Sequence, residues 1–226
     1  HKDNNLLIRT TDLEISIKLT CSVENGEDGC IAIPLNKLLE ITNAMPENKI
    51  TFDVSEIGKV KIECNKGQYT IMGQPNEEFP SKMNLENSKT VTVSGEELQD
   101  IINNTSYAAS RDDLKPVLQG VLFQIENDGI VSVATDGHRL VKIEKKKLHS
   151  IDYIGNIVVP IKFLALLTTQ LTGNGDVSML IGDNHIQVQL EDITITTRII
   201  KDPYPDYEGV IPKNNTKTLI INKNNF

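Results

Sequence analysis

No apolar run in this chain of 226 residues approaches the roughly 20 needed to cross a bilayer, and no segment resembles a signal peptide. Cysteine is scarce. Cys21, Cys30 and Cys64 are odd in number and lack CxxC spacing, which reads as free thiols in a reducing cytoplasm. Positive charge is in deficit: a net charge of −8 weighs against nucleic acid as a partner, although a local basic strip can coexist with an acidic exterior. No Ser or Cys nucleophile sits in a recognisable elbow, and no GxxxxGK[ST] phosphate loop occurs. The histidines at 1, 138, 149 and 185 have no zinc-ligand spacing with the cysteines. Asp112, Asp113 and Asp136 could hold a metal ion, but an Asp pair before "LKP" more often ends a helix. Together these absences leave no catalytic centre and imply no metal or cofactor. What is present, 38% hydrophobic and 24% charged residues, describes a soluble globular chain of one large domain or two ordinary ones.

The chain repeats itself. Thr11-Asp12 in "TTDLEISI" recurs 124 positions later as Thr135-Asp136 in "ATDGHRLV". "IPLNKLLEITNAM" (33–45) lies against "VPIKFLALLTTQL" (159–171), with Pro34 on Pro160 and matching apolar positions. Phe79-Pro80 falls on Tyr204-Pro205. Landmarks recurring in order at nearly constant offset mark two copies of one unit. "TLIINKNNF" (218–226) echoes "TVTVSGEEL" (90–98), which suggests the first strand of a third copy. The expected division is a partial first unit over 1–86, lacking an opening strand and helix, a complete second unit over 87–215, and a third-unit strand over 216–226.

Each unit reads as α+β. In the second, Leu98, Ile101, Ile102 and Thr105 recur at helical spacing, while "VLFQIEN", "IVSVATD" and "RLVKIEK" alternate with period two. Pro160 is expected at the first position of a second helix that stops at Gly173-Asn174-Gly175. "DVSMLIG", "HIQVQLE" and "ITITTRII" complete the unit, predicting two helices packed on one antiparallel sheet of about six or more strands. Asp136-Gly137 between alternating segments is a hairpin signal. A hairpin does not need the His138-Arg139 that follows, and on the residues alone a solvated, decorated turn is the plainer reading. Lys142, Lys145, Lys146 and Lys147 form the densest basic run, equally readable as a solvated strand end.

"ATDGHRL" (134–140), the repeated helix "VPIKFLALL", "FPSKM" and "YPDYEGVIPKN" (204–214) resemble the bacterial DNA polymerase III beta subunit family, the sliding clamps, over essentially the whole chain. The resemblance implies the DNA clamp fold: three similar domains in a crescent, two crescents closing head to tail around duplex DNA, helices inside and sheets outside. It implies a non-catalytic processivity factor of the replicative holoenzyme, a homodimer when full length, with a bacterial cytoplasmic, nucleoid-associated location and no membrane role. Its partners would be duplex DNA held without sequence preference, and the replicative polymerase subunit, clamp loader, other polymerases and repair proteins through short peptide motifs.

Carried over position by position, the peptide groove would use Leu118, Thr135, Gly137, His138, Arg139, Leu140, Pro205 and Val210, with a further wall from the third domain. DNA contact would fall to Lys37 and Lys162 at the starts of the equivalent helices, to Arg111 and Lys115 after the first helix, and to Lys145, Lys146 and Lys147. The chain departs from the family after that helix, where Pro116 and Val117 replace tyrosines. A stand-alone peptide-binding scaffold of duplicated α+β units, with no DNA role, is the alternative favoured by the acidic balance and the uncharged helix face.

Overall fold

A computed structural model of the chain describes residues 5 to 226 except 47, 48, 66, 82, 84, 147 and 172 to 174. Lys147 and the expected helix stop at Gly173-Asn174 therefore lie outside the described residues. The first copy opens with an antiparallel hairpin, β1 (Asn5–Thr11) and β2 (Ile15–Ser22). Helix α1 (Leu35–Ala44) precedes a meander of β3 (Thr51–Val54), β4 (Lys59–Cys64) and β5 (Gly67–Met72). The second copy begins with β6 (Lys89–Ser94) and α2 (Gly95–Thr105). Strands β7 (Gly120–Glu126), β8 (Gly129–Thr135) and β9 (Leu140–Lys146) form a meander. Short β10 (Ser150–Ile151) and β11 (Gly155–Pro160) lead into α3 (Ile161–Gln170). Strands β12 (Asp176–Ile181), β13 (His185–Gln189) and β14 (Ile193–Arg198) complete it.

The duplication extends to single backbone bridges. Ala32 pairs with Gln74 in the first copy, and Val158 pairs with Ile200 in the second, each partner displaced by 126 positions. The copies are also fused. A seven-stranded sheet, ordered β1-β2-β14-β13-β12-β6-β10, runs across the boundary because β14 pairs antiparallel with β2, Ile193 opposite Leu19 and Thr197 opposite Ile15.

The single sheet expected of the second unit is instead two. Strands β6, β10, β12, β13 and β14 belong to the seven-stranded sheet, and β11-β7-β8-β9 form a separate one. Both sheets carry an apolar inner face, and the helix pair sits against both. Val91, Val93, Met179 and Val188 from one meet Val121, Phe123 and Ile125 from the other around Leu98, Ile101 and Ile102 of α2 and Phe163, Leu164 and Leu167 of α3. The start of α2 is set by Ser94, whose hydroxyl accepts the Glu97 N–H at 3.1 Å while Glu97 folds back toward it. Pro160 is the residue before α3, not its first position: it still pairs with Gly120 as the last residue of β11, and its fixed φ suits both roles.

Residues 216–226 hold no strand, only a 3-10 turn at Lys223–Asn225, and Ile220 is 92% exposed. The residue pattern is strand-like, but an extended segment with no neighbour to pair with gains no ladder. Helix α1 buries no residue, and its apolar Leu35 and Leu39 stand about half exposed.

Candidate functional site

The β8–β9 turn explains most of its own polarity. The Thr135 hydroxyl donates to the Arg139 carbonyl at 2.7 Å and accepts the Gly137 N–H at 3.1 Å. One Asp136 carboxylate oxygen accepts the N–H groups of His138 and Arg139 at 2.9 and 3.1 Å, and the other accepts Arg139 Nε at 3.0 Å. Those two backbone donors, then the Arg139 charge, hold the Asp136 carboxyl below its usual range. Gly137 takes a φ of +92°, which side chains resist.

The first copy builds the same turn. Thr11 donates to the Ile15 carbonyl and accepts the Leu13 N–H, and Asp12 accepts the N–H groups of Glu14 and Ile15. Thr135, Asp136 and Gly137 are thus turn-forming in both copies, and buried Thr135 has its hydroxyl engaged in the turn. What sets the second turn apart is His138, Arg139 and Leu140, where the first has Glu14, Ile15 and Ser16. His138 and Arg139 are exposed, and the Arg139 guanidinium lies 5.9 Å from the centre of the Tyr107 ring.

Leu140 leads into a second, smaller apolar cluster on the outer face of the four-stranded sheet. Leu122, Val133, Val158 and Tyr207 are buried there, with half-buried Val117, Val131, Leu140, Ile200, Tyr204 and Ile211 packed on them. The Tyr204 hydroxyl donates to the Val133 carbonyl at 3.4 Å. Burial pushes its phenol up to about 12, against a smaller opposing pull from a Thr135 backbone hydrogen bond. The Tyr207 hydroxyl bonds the Gln124 side chain, and burial raises its phenol as well. Beside these tyrosines, exposed Pro205 lines a cleft of about 1100 Å3 that also reaches Lys142 and Lys201.

The structure therefore joins Thr135, Gly137, His138, Arg139 and Leu140 at one turn, and Leu140 reaches the Tyr204-Pro205 segment through the cluster. Leu118 and Val210 are not members. Leu118 is half-buried and gives its carbonyl to the Ser110 N–H at 2.8 Å, while Val210 is 69% exposed. Their chain neighbours Val117 and Ile211 point into the cluster instead. Sequence reasoning missed Tyr204 and Tyr207 as side chains, although two tyrosines three residues apart in a chain with five were a visible signal.

Among the described residues, half of the candidate DNA-facing cations are paired. Lys145 lies 2.6 Å from Asp100 of α2, which raises its ammonium pKa. Lys162 lies 2.6 Å from Asp12 and 3.2 Å from Glu14, so it ties the start of α3 to the first unit. That hydrogen bond holds the Asp12 carboxyl down at about 2. Lys37 faces Glu40 at 3.5 Å, and Lys142 faces Glu144 at 3.0 Å. Among the described residues, Arg111, Lys115 and Lys146 are exposed and have no carboxylate partner.

Comparison with known proteins agrees with this architecture. The family model of the DNA polymerase III beta subunit, central domain, matches residues 92–206, and that of its N-terminal domain matches residues 1–86. The beta sliding clamp of Pseudomonas putida is 28% identical over 223 residues, covering 95% of this chain and 59% of the relative. That of Vibrio cholerae is 26% identical, covering 96% and 60%. The crystal structure of the DNA polymerase III subunit beta from Pseudomonas aeruginosa superposes with a TM-score of 0.86 at 28% identity, over 93% of this chain and 58% of that one. A sliding clamp from the same organism bound to griselimycin gives 0.86 at 27% identity, over 96% and 59%. The chain thus spans about three fifths of the length of its relatives. With one family model over its first unit and another over its second, the chain belongs to the DNA polymerase III beta subunit family, the beta sliding clamps.

Proposed function

We propose that the chain is the greater part of a sliding clamp that, as a full-length homodimer, encircles duplex DNA and tethers the replicative polymerase without itself catalysing a reaction. The observation that carries this reading is the fusion of two copies of one unit through the β2–β14 ladder. Edge-to-edge joining by sheet pairing lets like units follow one another in an arc, the geometry a ring needs. Contact with DNA is then diffuse and electrostatic, as sliding requires. Of the proposed contacts, Arg111, Lys115 and Lys146 are exposed and have no carboxylate partner among the described residues. Lys37, Lys145, Lys147 and Lys162 complete the proposed set, though Lys145 and Lys162 would have to exchange a carboxylate for a phosphate.

The second part of the proposal is a docking groove for polymerase, clamp-loader and repair-protein peptides beside the β8–β9 turn. Leu140, Pro205 and the tyrosine-lined cluster offer apolar contact, and His138 and Arg139 offer donors on the rim. Leu118 and Val210 would join as the groove's outer margin. The griselimycin complex of the Pseudomonas aeruginosa clamp supports a ligand site in this family at large.

Loading the full-length protein with its clamp loader onto nicked circular DNA, followed by high-salt gel filtration, tests the first part. Retention on the circle and loss after linearisation is the expected result. Retention that ignores linearisation, or none on either substrate, refutes encirclement and favours the stand-alone scaffold.

A further inference from the structure

We propose that the junction between the two units holds a second peptide-docking groove, which takes an extended segment presenting an apolar side chain next to a carboxylate. A cleft of about 540 Å3 opens there, inside the roughly 300 to 1,000 Å3 common for ligand sites. Its first wall is the repeat counterpart of the groove proposed in the second copy. Thr11, Leu13, Glu14 and Ser16 stand where the second copy has Thr135, Gly137, His138 and Leu140, and Phe79-Pro80 stands where it has Tyr204-Pro205. The rest of the lining comes from the next unit in the chain, through His185 of β13 and Arg198 of β14, which continue the same sheet beside β2. The second copy's groove has no such neighbouring unit in this chain, so the junction cleft is the more complete of the pair.

The cleft's chemistry differs from that of its counterpart in a way that names the ligand. Leu13, Phe79, Pro80 and Met83 give it an apolar floor. Arg9 donates to the Pro80 carbonyl at 3.0 Å and lies 4.6 Å from the centre of the Phe79 ring, which fixes its guanidinium over that floor. Arg198 is exposed, and neither arginine has a carboxylate partner among the described residues. The acid in the cleft, Glu14, is held by Lys162 at 3.2 Å. Two arginines bordering an apolar floor suit a carboxylate beside an apolar side chain, since guanidinium forks match carboxylates and the floor takes the rest. A nucleic acid phosphate would meet the arginines but leave the floor unused.

The class of ligand rests on the groove reading of the second copy, whereas the cleft and its charges stand on their own residues. The test titrates a blocked peptide with the core Leu-Glu-Phe into the methyl-labelled 226-residue chain and follows its resonances. Shifts of Leu13 and Met83 are expected, and Arg198→Glu should weaken that set about tenfold, the loss of one charge-assisted bond. Leu13→Ser, at an exposed position, should weaken the same set independently. The Leu140 resonances should respond to Arg139→Ala and not to Arg198→Glu. Movement of Leu13 and Met83 without Leu140 would sustain this proposal and sink the second-copy groove. No movement of Leu13 and Met83, equal affinity in Arg198→Glu, or equal response to a peptide with lysine in place of glutamate or to a DNA oligonucleotide would overturn it.

Discussion

Gly137 and Leu13 occupy the same position of the same turn, at φ of +92° and +75°. Left-handed backbone costs an L-residue about 1 to 2 kcal/mol. A Cβ added at Gly137 would meet nothing within 4 Å, so Gly137→Ala reads backbone strain with no packing contribution. Against that strain stands the entropy that alanine removes from the unfolded chain, about 0.4 to 1 kcal/mol in its favour. Glycine should therefore exceed alanine in stability by about 0.5 to 1 kcal/mol. At Leu13, which is 66% exposed, the direct substitution mixes strain relief with lost burial. The comparison that isolates the backbone is Leu13→Gly against Leu13→Ala, and glycine should again win by a similar margin. In ordinary helix or strand interiors the order is the reverse. Urea unfolding followed by circular dichroism, with an unchanged slope, gives both differences. Alanine equal to or better than glycine at both positions would refute the claim that the two turns are one conserved device.

Three further outcomes follow from the geometry. Asp12 keeps its turn bonds as asparagine but loses its charge toward Lys162. Its carboxyl is lowered from 3.8 to about 2, so its stabilisation is present above pH 4 and lost as pH falls through about 2. After discounting for exposure, Asp12→Asn should cost about 1 kcal/mol at neutral pH and nothing in strong acid, which acid titration of unfolding will show. Tyr204 is raised from 10.0 to about 12, so its contribution is present below pH 10 and lost as pH rises through about 12. Tyr204→Phe should resist alkaline unfolding better than wild type, and one tyrosine fewer should ionise late by phenolate absorbance. Leu140→Ala should lower both peptide affinity and stability, the latter by about 1 to 3 kcal/mol, because Leu140 packs on the Leu122, Val133, Val158 and Tyr207 cluster as well as bordering the proposed groove. Weakened binding with unchanged unfolding would place Leu140 in the groove alone.

Period-two alternation placed β7, β8, β9, β12, β13 and β14 within a residue or two, because alternation and burial share one cause, but it missed short β10 and β11. It could not say that those strands make two sheets, since parity tells a side chain which face it joins and not which sheet carries the face. Parity did hold information about Lys145: it shares a face of β9 with Val141 and Ile143, and that face meets α2, where Asp100 waits. The surrounding lysines made it look like part of a solvated run. Tyr204, Tyr207 and Ile211 were harder to place for a different reason, because they lie in a loop with no period, and their burial depends on the outer face of a sheet distant in sequence. Within the groove set, the turn residues were legible from Thr-Asp-Gly itself. Leu118 and Val210 rest on the family resemblance, and it is their neighbours Val117 and Ile211 that pack on the apolar cluster, because a one-residue step in a 3-10 turn changes which side chain faces in.

The ladder between β14 and β2 also bears on how the molecule carries load. Its rungs are peptide groups in five register pairs, not side chains, and strands lying side by side resist sliding by straining all their rungs at once. Bending at this seam would require peeling backbone bonds in sequence while also breaking the Lys162 bridge to Asp12 and Glu14. The seam therefore behaves as a welded joint. A deformation that opens an assembly of such units would be taken up where units meet without a shared sheet, and the two units here would move together as one stiff arm.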